Sequence, residues 1–313
     1  MKTKIWIALI ALYIVWGSTY LAIRFAVETI PPFMSAGLRF LISGAILFIW
    51  RRTAGDASPT KGQWISTAIV GAALLLGGNG LVSWAEQRVP SGIAALMVST
   101  IPLWLVIFEA VRPGGLKPSW RAIIGLLIGF GGVFLLIGPA EFSGKSATQF
   151  DLLGTIALLC AAFIWAFGSI YSKHGDMPKS SLMGTGAEML TGAVALFIVS
   201  AATGELNGFH FAAVSMRSWL GLAFLIFIGS LIGFVSYGWL LQNAPISLVS
   251  TYAYVNPVVA VFLGSWFASE PLTPRILLAA AIIIGSVVLI NSGHKSSSTL
   301  EMKKEAKGAI RAQ

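Results

Sequence analysis

The chain has 313 residues, of which 56% are apolar and only 11% charged, under half the charged fraction of an average soluble domain, which excludes an ordinary soluble enzyme. The formal charge of +9 reflects 21 Lys and Arg against 12 Asp and Glu, but the basic residues are scattered and form no stripe suited to nucleic acid. One cysteine, Cys160, and three separated histidines, His174, His210 and His294, leave no internal disulfide and no readable zinc, haem or iron–sulfur site.

A bilayer core is crossed by about 20 apolar residues. Charges, Pro and Gly divide the sequence into ten such stretches, near residues 5–23, 33–50, 63–85, 91–110, 120–138, 153–172, 181–201, 218–240, 247–267 and 275–292. The first follows Met1-Lys2-Thr3-Lys4 and has no small-residue cleavage site, so it reads as a retained helix rather than a leader. From His294 onward the chain is polar and lysine-rich, a tail without chemistry of its own. With a cytoplasmic N-terminus, fifteen of the Lys and Arg fall on inside segments, five on outside loops and Arg39 within a span. That bias predicts both termini in the cytoplasm and accounts for most of the +9.

Polar residues at midspan are the candidates for function. In span 1, Trp16 and Tyr20 share a face, as Trp165 and Ser169 do in span 6; such aromatics either belong to an interfacial belt or line a cavity, and their midspan depth favours the cavity. Asn79 sits in the run Gly77-Gly78-Asn79-Gly80 of span 3, as a buried amide facing a cavity or as glue between helices. Pro102 and Pro257 lie halfway along spans 4 and 9 and predict kinks that weaken hydrogen bonding at the Val98 and Ala253 carbonyls. Ser99 lies beside the first kink, and Tyr252 and Asn256 share a face beside the second.

Arg39 in span 2 and Glu188 in span 7 are the costly groups, since an ionisable side chain inside a span is a functional candidate by default. At 1.5 Å rise each is roughly 10 Å deep. Either each snorkels or pairs locally to hold helices together, or Glu188 carries a coupling proton and Arg39 meets a substrate carboxylate. Glu86 and Glu109, at span ends, are weaker candidates for the proton.

The chain also matches itself. At a shift of 149, Met34, Gly37 and Leu41 fall on Met183, Gly186 and Leu190; at 155, Gly78, Trp84, Gln87, Pro90 and Pro102 fall on Gly233, Trp239, Gln242, Pro245 and Pro257. Matched Trp, Gln and Pro carry this better than Leu does. Spans 1–5 (residues 1–145) thus correspond to spans 6–10 (residues 146–293), with residues 294–313 as the tail. Because five is odd, the second half enters the membrane inverted. The expected fold is all-α, a polytopic membrane protein of ten transmembrane helices in two inverted five-helix repeats, the construction of secondary carriers.

The Trp16-Gly17-Ser18 start, the Pro90-Ser91-Gly92-Ile93-Ala94-Ala95 entry to span 4, and the Tyr252–Pro257 run followed by Glu270 and Leu272 resemble the EamA-type carriers of the drug/metabolite transporter superfamily. The resemblance covers residues 5–292. It implies a central cavity lined chiefly by spans 1, 3, 4, 6, 8 and 9, and export of amino acids or related metabolites across the bacterial inner membrane. The expected partners are a small-molecule substrate, the lipid bilayer and a proton, with no nucleic acid, no cofactor and no metal; the oligomeric state is open. Gly125/Gly129 and Gly229/Gly233 are small-residue pairs for packing, within the chain or between copies. A membrane-embedded enzyme would want a dyad or a His-based site, and a channel a ring of like groups; the spans offer neither.

Overall fold

A polypeptide in hydrocarbon has to satisfy its own backbone, and these apolar segments do so as helices. The computed structural model describes residues 2–114, 118–137, 151–207, 209–244 and 252–290, and no strand occurs among them. The first half supplies α1 (Lys2–Ala26), α2 (Pro32–Thr53), α3 (Lys61–Ala85), α4 (Ser91–Val98 and Ile101–Val111) and α5 (Trp120–Ile137). The second supplies α6 (Leu152–His174), α7 (Ser181–Ala202), α8 (Met216–Phe224, Leu225–Ile232 and Gly233–Asn243), α9 (Tyr252–Ala268) and α10 (Pro274–Ile290). Among the described residues, seven helices are long and apolar enough to cross a bilayer, and three shorter apolar helices, in α5, α9 and α10, accompany them. The tail from residue 294, the junction at residues 145 and 146, and Pro245 lie outside the described residues.

Several helices start as their sequences dictate. Thr60 and Gln63 form a reciprocal capping box on α3, Asp151 accepts from the Gly154 amide at 2.7 Å on α6, and Ser180 and Ser215 cap α7 and α8. Pro31 and Pro90 precede α2 and α4 and offer no side-chain cap. Carboxylates distant in sequence supply it instead. Glu205, after α7, accepts from the Phe33 and Met34 amides at 3.2 and 2.9 Å, and Glu270, after α9, accepts from the Ser91 and Gly92 amides at 2.7 and 3.0 Å.

Contacts between connections divide by parity. The turns after α1, α3, α7 and α9 and the residue that starts α6 meet on one face, here called the odd face, through Thr29 with Ser218, Glu28 with Arg217, Arg88 with Asp151, and the two carboxylate caps. The turns after α2 and α6 meet on the opposite, even face, where Gln63 bonds the Met177 carbonyl and Ser180 bonds Asp56.

The most extensive helix contact is α2 on α7, made close by small residues: a methyl group on Gly44 would lie 2.7 Å from the Met189 Cβ. α1 packs on α9 and α8, and α6 packs on α4 and α3. α5 meets α10 where Gly125 faces Ile290 and Gly129 faces Ser286, and Gly229 of α8 faces Thr19 of α1, so both small-residue pairs serve packing within the chain. Exchanging helix numbers by five turns each of these pairings into another of the set. The largest buried cluster joins α1, α3, α4, α5, α6, α8 and α10 toward their odd-face ends, with Ala26, Ala85, Val89, Leu96, Met97 and Leu136 fully or almost fully buried.

Candidate functional site

A cavity enclosing about 730 Å³ of space, part of it open to solvent, lies among the helices. Its lining includes Trp16, Tyr20, Arg39, Asn79, Trp165, Tyr252 and Asn256, brought from α1, α2, α3, α6 and α9. A second hollow of about 650 Å³ adjoins it, shares Tyr20, Val98, Ile101, Tyr252 and Asn256, and adds Ser99, Pro102, Ala253 and Pro257. Spans far apart in sequence thus converge on one apolar and aromatic space with a few polar groups.

Two widened helices shape this space. In α3 over Ala72–Gly80 and in α8 over Leu225–Ile232 the backbone is wound in broad turns, a form concentrated at functional sites. Side chains satisfy groups within both: the Asn79 amide donates to the Leu74 carbonyl at 3.3 Å, and the Trp16 indole donates to the Gly229 carbonyl at 3.2 Å. The two tryptophans seat against glycines of the opposite half. Trp165 of α6 lies where a Cβ on Gly78 would fall, 2.6 Å from it, and Trp16 of α1 occupies the corresponding place at Gly233. The wall around Trp16 is completed by Phe234, Tyr237 and Tyr252, with ring centroids 5.4, 5.2 and 5.1 Å away.

Both proline segments reach the cavity in different ways. At Pro102 the helix is interrupted rather than bent: α4 stops at Val98 and restarts at Ile101, with Pro102 in the first turn of its second half. The Ser99 and Thr100 hydroxyls turn back onto the Leu96 and Met97 carbonyls at 2.7 and 2.6 Å. Pro257 stays inside a continuous α9. There the Asn256 amide nitrogen, turned toward them, reaches the Tyr252 and Tyr13 carbonyls at 3.1 and 3.3 Å, tying α9 to α1.

Arg39 is the one residue with a formal charge among the described cavity lining. It is 5% exposed; its Nε donates to Ser230 Oγ at 2.9 Å, and its guanidinium lies 4.7 Å over the Phe40 ring. No carboxylate pairs with it among the described residues. Glu188 is not that partner: it lies outside the lining, and its carboxylate has no hydrogen bond or ion pair among the described residues. Ser169 is also outside the lining, its hydroxyl donating to the Trp165 carbonyl at 2.8 Å. Glu109 pairs with Arg112 at 2.7 Å. Glu86 is fully buried at the end of α3.

Sequence reading missed several parts. Ser230, Phe234 and Tyr237 carry no motif, and one polar serine in an apolar helix gives no sign of the arginine it will meet. The cap by Glu205 had a usable signal, because Asp56 falls on Glu205 at the same shift of 149 that aligns the halves. Both carboxylates bind the helix start presented by the other half: Asp56 meets Ser180 at α7, and Glu205 meets the first amides of α2.

The EamA-like transporter family matches residues 3–138 and 152–292. An uncharacterized inner membrane transporter of Escherichia coli strain K12, YedA, is 39% identical over 287 residues, covering 91% of this chain and 90% of the relative. The Bacillus subtilis transporter YvbV, also uncharacterized, is 26% identical over 312 residues, covering 98% of each. A protein of Escherichia coli K12 named "Probable amino-acid metabolite efflux pump" is 24% identical over 301 residues, covering 91% of this chain and 93% of the relative. A solved crystal structure superposes with a TM-score of 0.61 at 20% identity, covering 92% of this chain and 96% of that one, a likeness of fold alone.

Proposed function

The chain belongs to the EamA-like transporter family, and from that premise we propose that it is a secondary carrier of the bacterial inner membrane that exports amino acids or related small metabolites by alternating access. Ten crossings in two inverted repeats, residues 1–145 and 146–293, form the carrier, with both termini in the cytoplasm and residues 294–313 as a cytoplasmic tail. The exchange symmetry of the helix pairings and the sorting of turns onto two faces support that arrangement.

One observation carries the substrate class: a buried cation, Arg39, lines an aromatic cavity with no carboxylate among the described residues to neutralise it. A desolvated charge of this kind is costly until it is paired. A substrate carboxylate on Arg39, with an apolar or aromatic body against Trp16, Trp165 and Tyr252, meets that need. The name of the efflux relative supports the same class. Glu188, unpaired among the described residues and outside the cavity lining, is the proposed coupling carboxylate, acting away from the substrate.

The test is counterflow in proteoliposomes with a panel of amino acids and aromatic metabolites, with and without a pH gradient. Saturable exchange of a carboxylate-bearing member is expected. Flux that does not saturate would point to a channel, and silence across the panel from folded protein would remove the substrate class. Glu188→Gln is expected to abolish gradient dependence while counterflow persists; surviving gradient-driven flux would end the coupling assignment.

A further inference from the structure

The odd face closes over a carboxylate that the proposed transport site does not use. Glu86, the residue after α3, has no solvent exposure, and neither of its carboxylate oxygens has a hydrogen-bond partner among the described residues. The guanidinium of Arg24 donates to the main-chain carbonyl of Glu86, not to its side chain. The ionisable groups that face Glu86 are Tyr20 and Arg24 of α1 and Glu270 from the turn between α9 and α10. Glu270 already accepts two amides at the start of α4. Arg88, on the same turn as Glu86, lies 4.2 Å over the Trp84 ring and 3.6 Å from Asp151. The apolar cluster that takes in its chain neighbour Ala85 draws side chains from α4, α6 and α10, among them Ile93, Leu158 and Ile276.

An ionised carboxylate without water or hydrogen-bond donors is strongly disfavoured in such a place, and a neutral acid is not. Glu270, itself bonded to amides as a carboxylate would be, adds a like charge nearby. Parting the odd-face ends of the helices would hydrate Glu86 and leave Arg24 as its nearest cation, which favours the ion. We infer that Glu86 is a proton-binding site tied to closure of the odd face, an acid when that face is packed and a carboxylate when it opens. Closure then takes up one proton from water on the odd side, and opening returns it. By linkage, acid favours the closed arrangement by up to about tenfold per pH unit between the two protonation ranges. The inference rests on the carrier reading only for its effect on flux, and it is separate from Glu188, which lies in α7 away from this cluster.

Two measurements on the purified full chain test it without any substrate. The first is the infrared difference spectrum of wild type minus Glu86→Gln at neutral pH, in which the carbonyl stretch of a neutral carboxylic acid is expected. Its absence overturns the proposal. If Glu86→Gln does not fold, Glu86→Asp serves, with the band displaced rather than lost.

The second places a single cysteine at Ala26, fully buried in the odd-face cluster, in a Cys160→Ser background, and follows labelling by a hydrophilic maleimide against pH, normalised to the unfolded chain. Protection is expected to fall as pH rises in wild type, and to stay high and flat in Glu86→Gln. A pH-independent rate in wild type, or the same profile in both proteins, overturns the proposal. Because neither readout needs transport, failure of the carrier reading would show as absent counterflow with both signals intact.

Discussion

Arg39 sets the chemistry of the cavity because of what surrounds it. Its Nε is held by Ser230 and its guanidinium lies over the Phe40 ring, which leaves the terminal nitrogens for a guest. Arg39→Gln keeps polarity and removes charge, and it is expected to weaken apparent affinity for a carboxylate-bearing substrate by about ten- to a hundredfold, the worth of a charged hydrogen bond of about 1.5–3 kcal/mol. Counterflow at varied substrate concentration measures this, and equal loss for an uncharged analogue would contradict the contact. On the even face, hydrogen bonds from Arg51 and then Ser180 pull Asp56 down from 3.8 to about 2. A depressed carboxylate stabilises the fold above its unfolded value and loses that contribution as pH falls toward its folded one. Asp56→Asn is therefore expected to lower the thermal midpoint at neutral pH, by an amount that shrinks as the buffer is taken below about pH 4. A difference constant through that window would deny the contact its role.

Helices α2 and α4 show how an element can depend on a residue remote in sequence. Each begins after a proline that offers no side-chain cap, so its first amides need an acceptor from elsewhere. Glu205 and Glu270 provide it, and each thereby joins an end of one half to an end of the other. Glu205→Ala frees the Phe33 and Met34 amides and is expected to destabilise the protein by about 1–2 kcal/mol, read from the unfolding midpoint in detergent. An unchanged midpoint would mean that water replaces the carboxylate at no cost. The close α2–α7 contact makes a second case. Gly44→Val would push a branched side chain into Met189 and the Leu190 amide, at an expected cost of about 1–3 kcal/mol in the same measurement.

The whole molecule is organised by its two faces. If charge bias orients the chain as proposed, cysteines at Thr29 and Asn207 on the odd face should label from outside intact cells in a Cys160→Ser background. Cysteines at Ala57 and Gly175 should label only from the other side, in inverted vesicles. The reverse pattern would overturn the orientation and leave the parity of the faces standing.

Much of this was legible in the sequence. The ten apolar stretches coincide with helices to within a few residues where they are described, because hydropathy along a chain is a local property and lipid permits a spanning segment little besides a helix. The cavity residues Trp16, Trp165, Tyr252 and Asn256 could be nominated because polar and aromatic groups at midspan are expensive unless they face an interior. Ser169 and Glu188 satisfied the same criterion and lie elsewhere, since depth along a helix says nothing of which way that face of the helix turns. Pro102 announced a disruption but not its form; the Ser99 and Thr100 hydroxyls decide that α4 breaks there, whereas α9 runs on through Pro257.

What the sequence determined by itself is therefore the number and place of apolar segments, the side bias of their charges and the internal match between halves, all readable one residue or one shift at a time. Tertiary structure alone decided that Arg39 meets Ser230, that Glu270 caps a helix from the other half, and that the Glu86 carboxylate is shut away without a hydrogen-bond partner among the described residues. Those outcomes depend on how small residues let distant helices approach, and close packing between segments far apart in sequence leaves no local trace in either one.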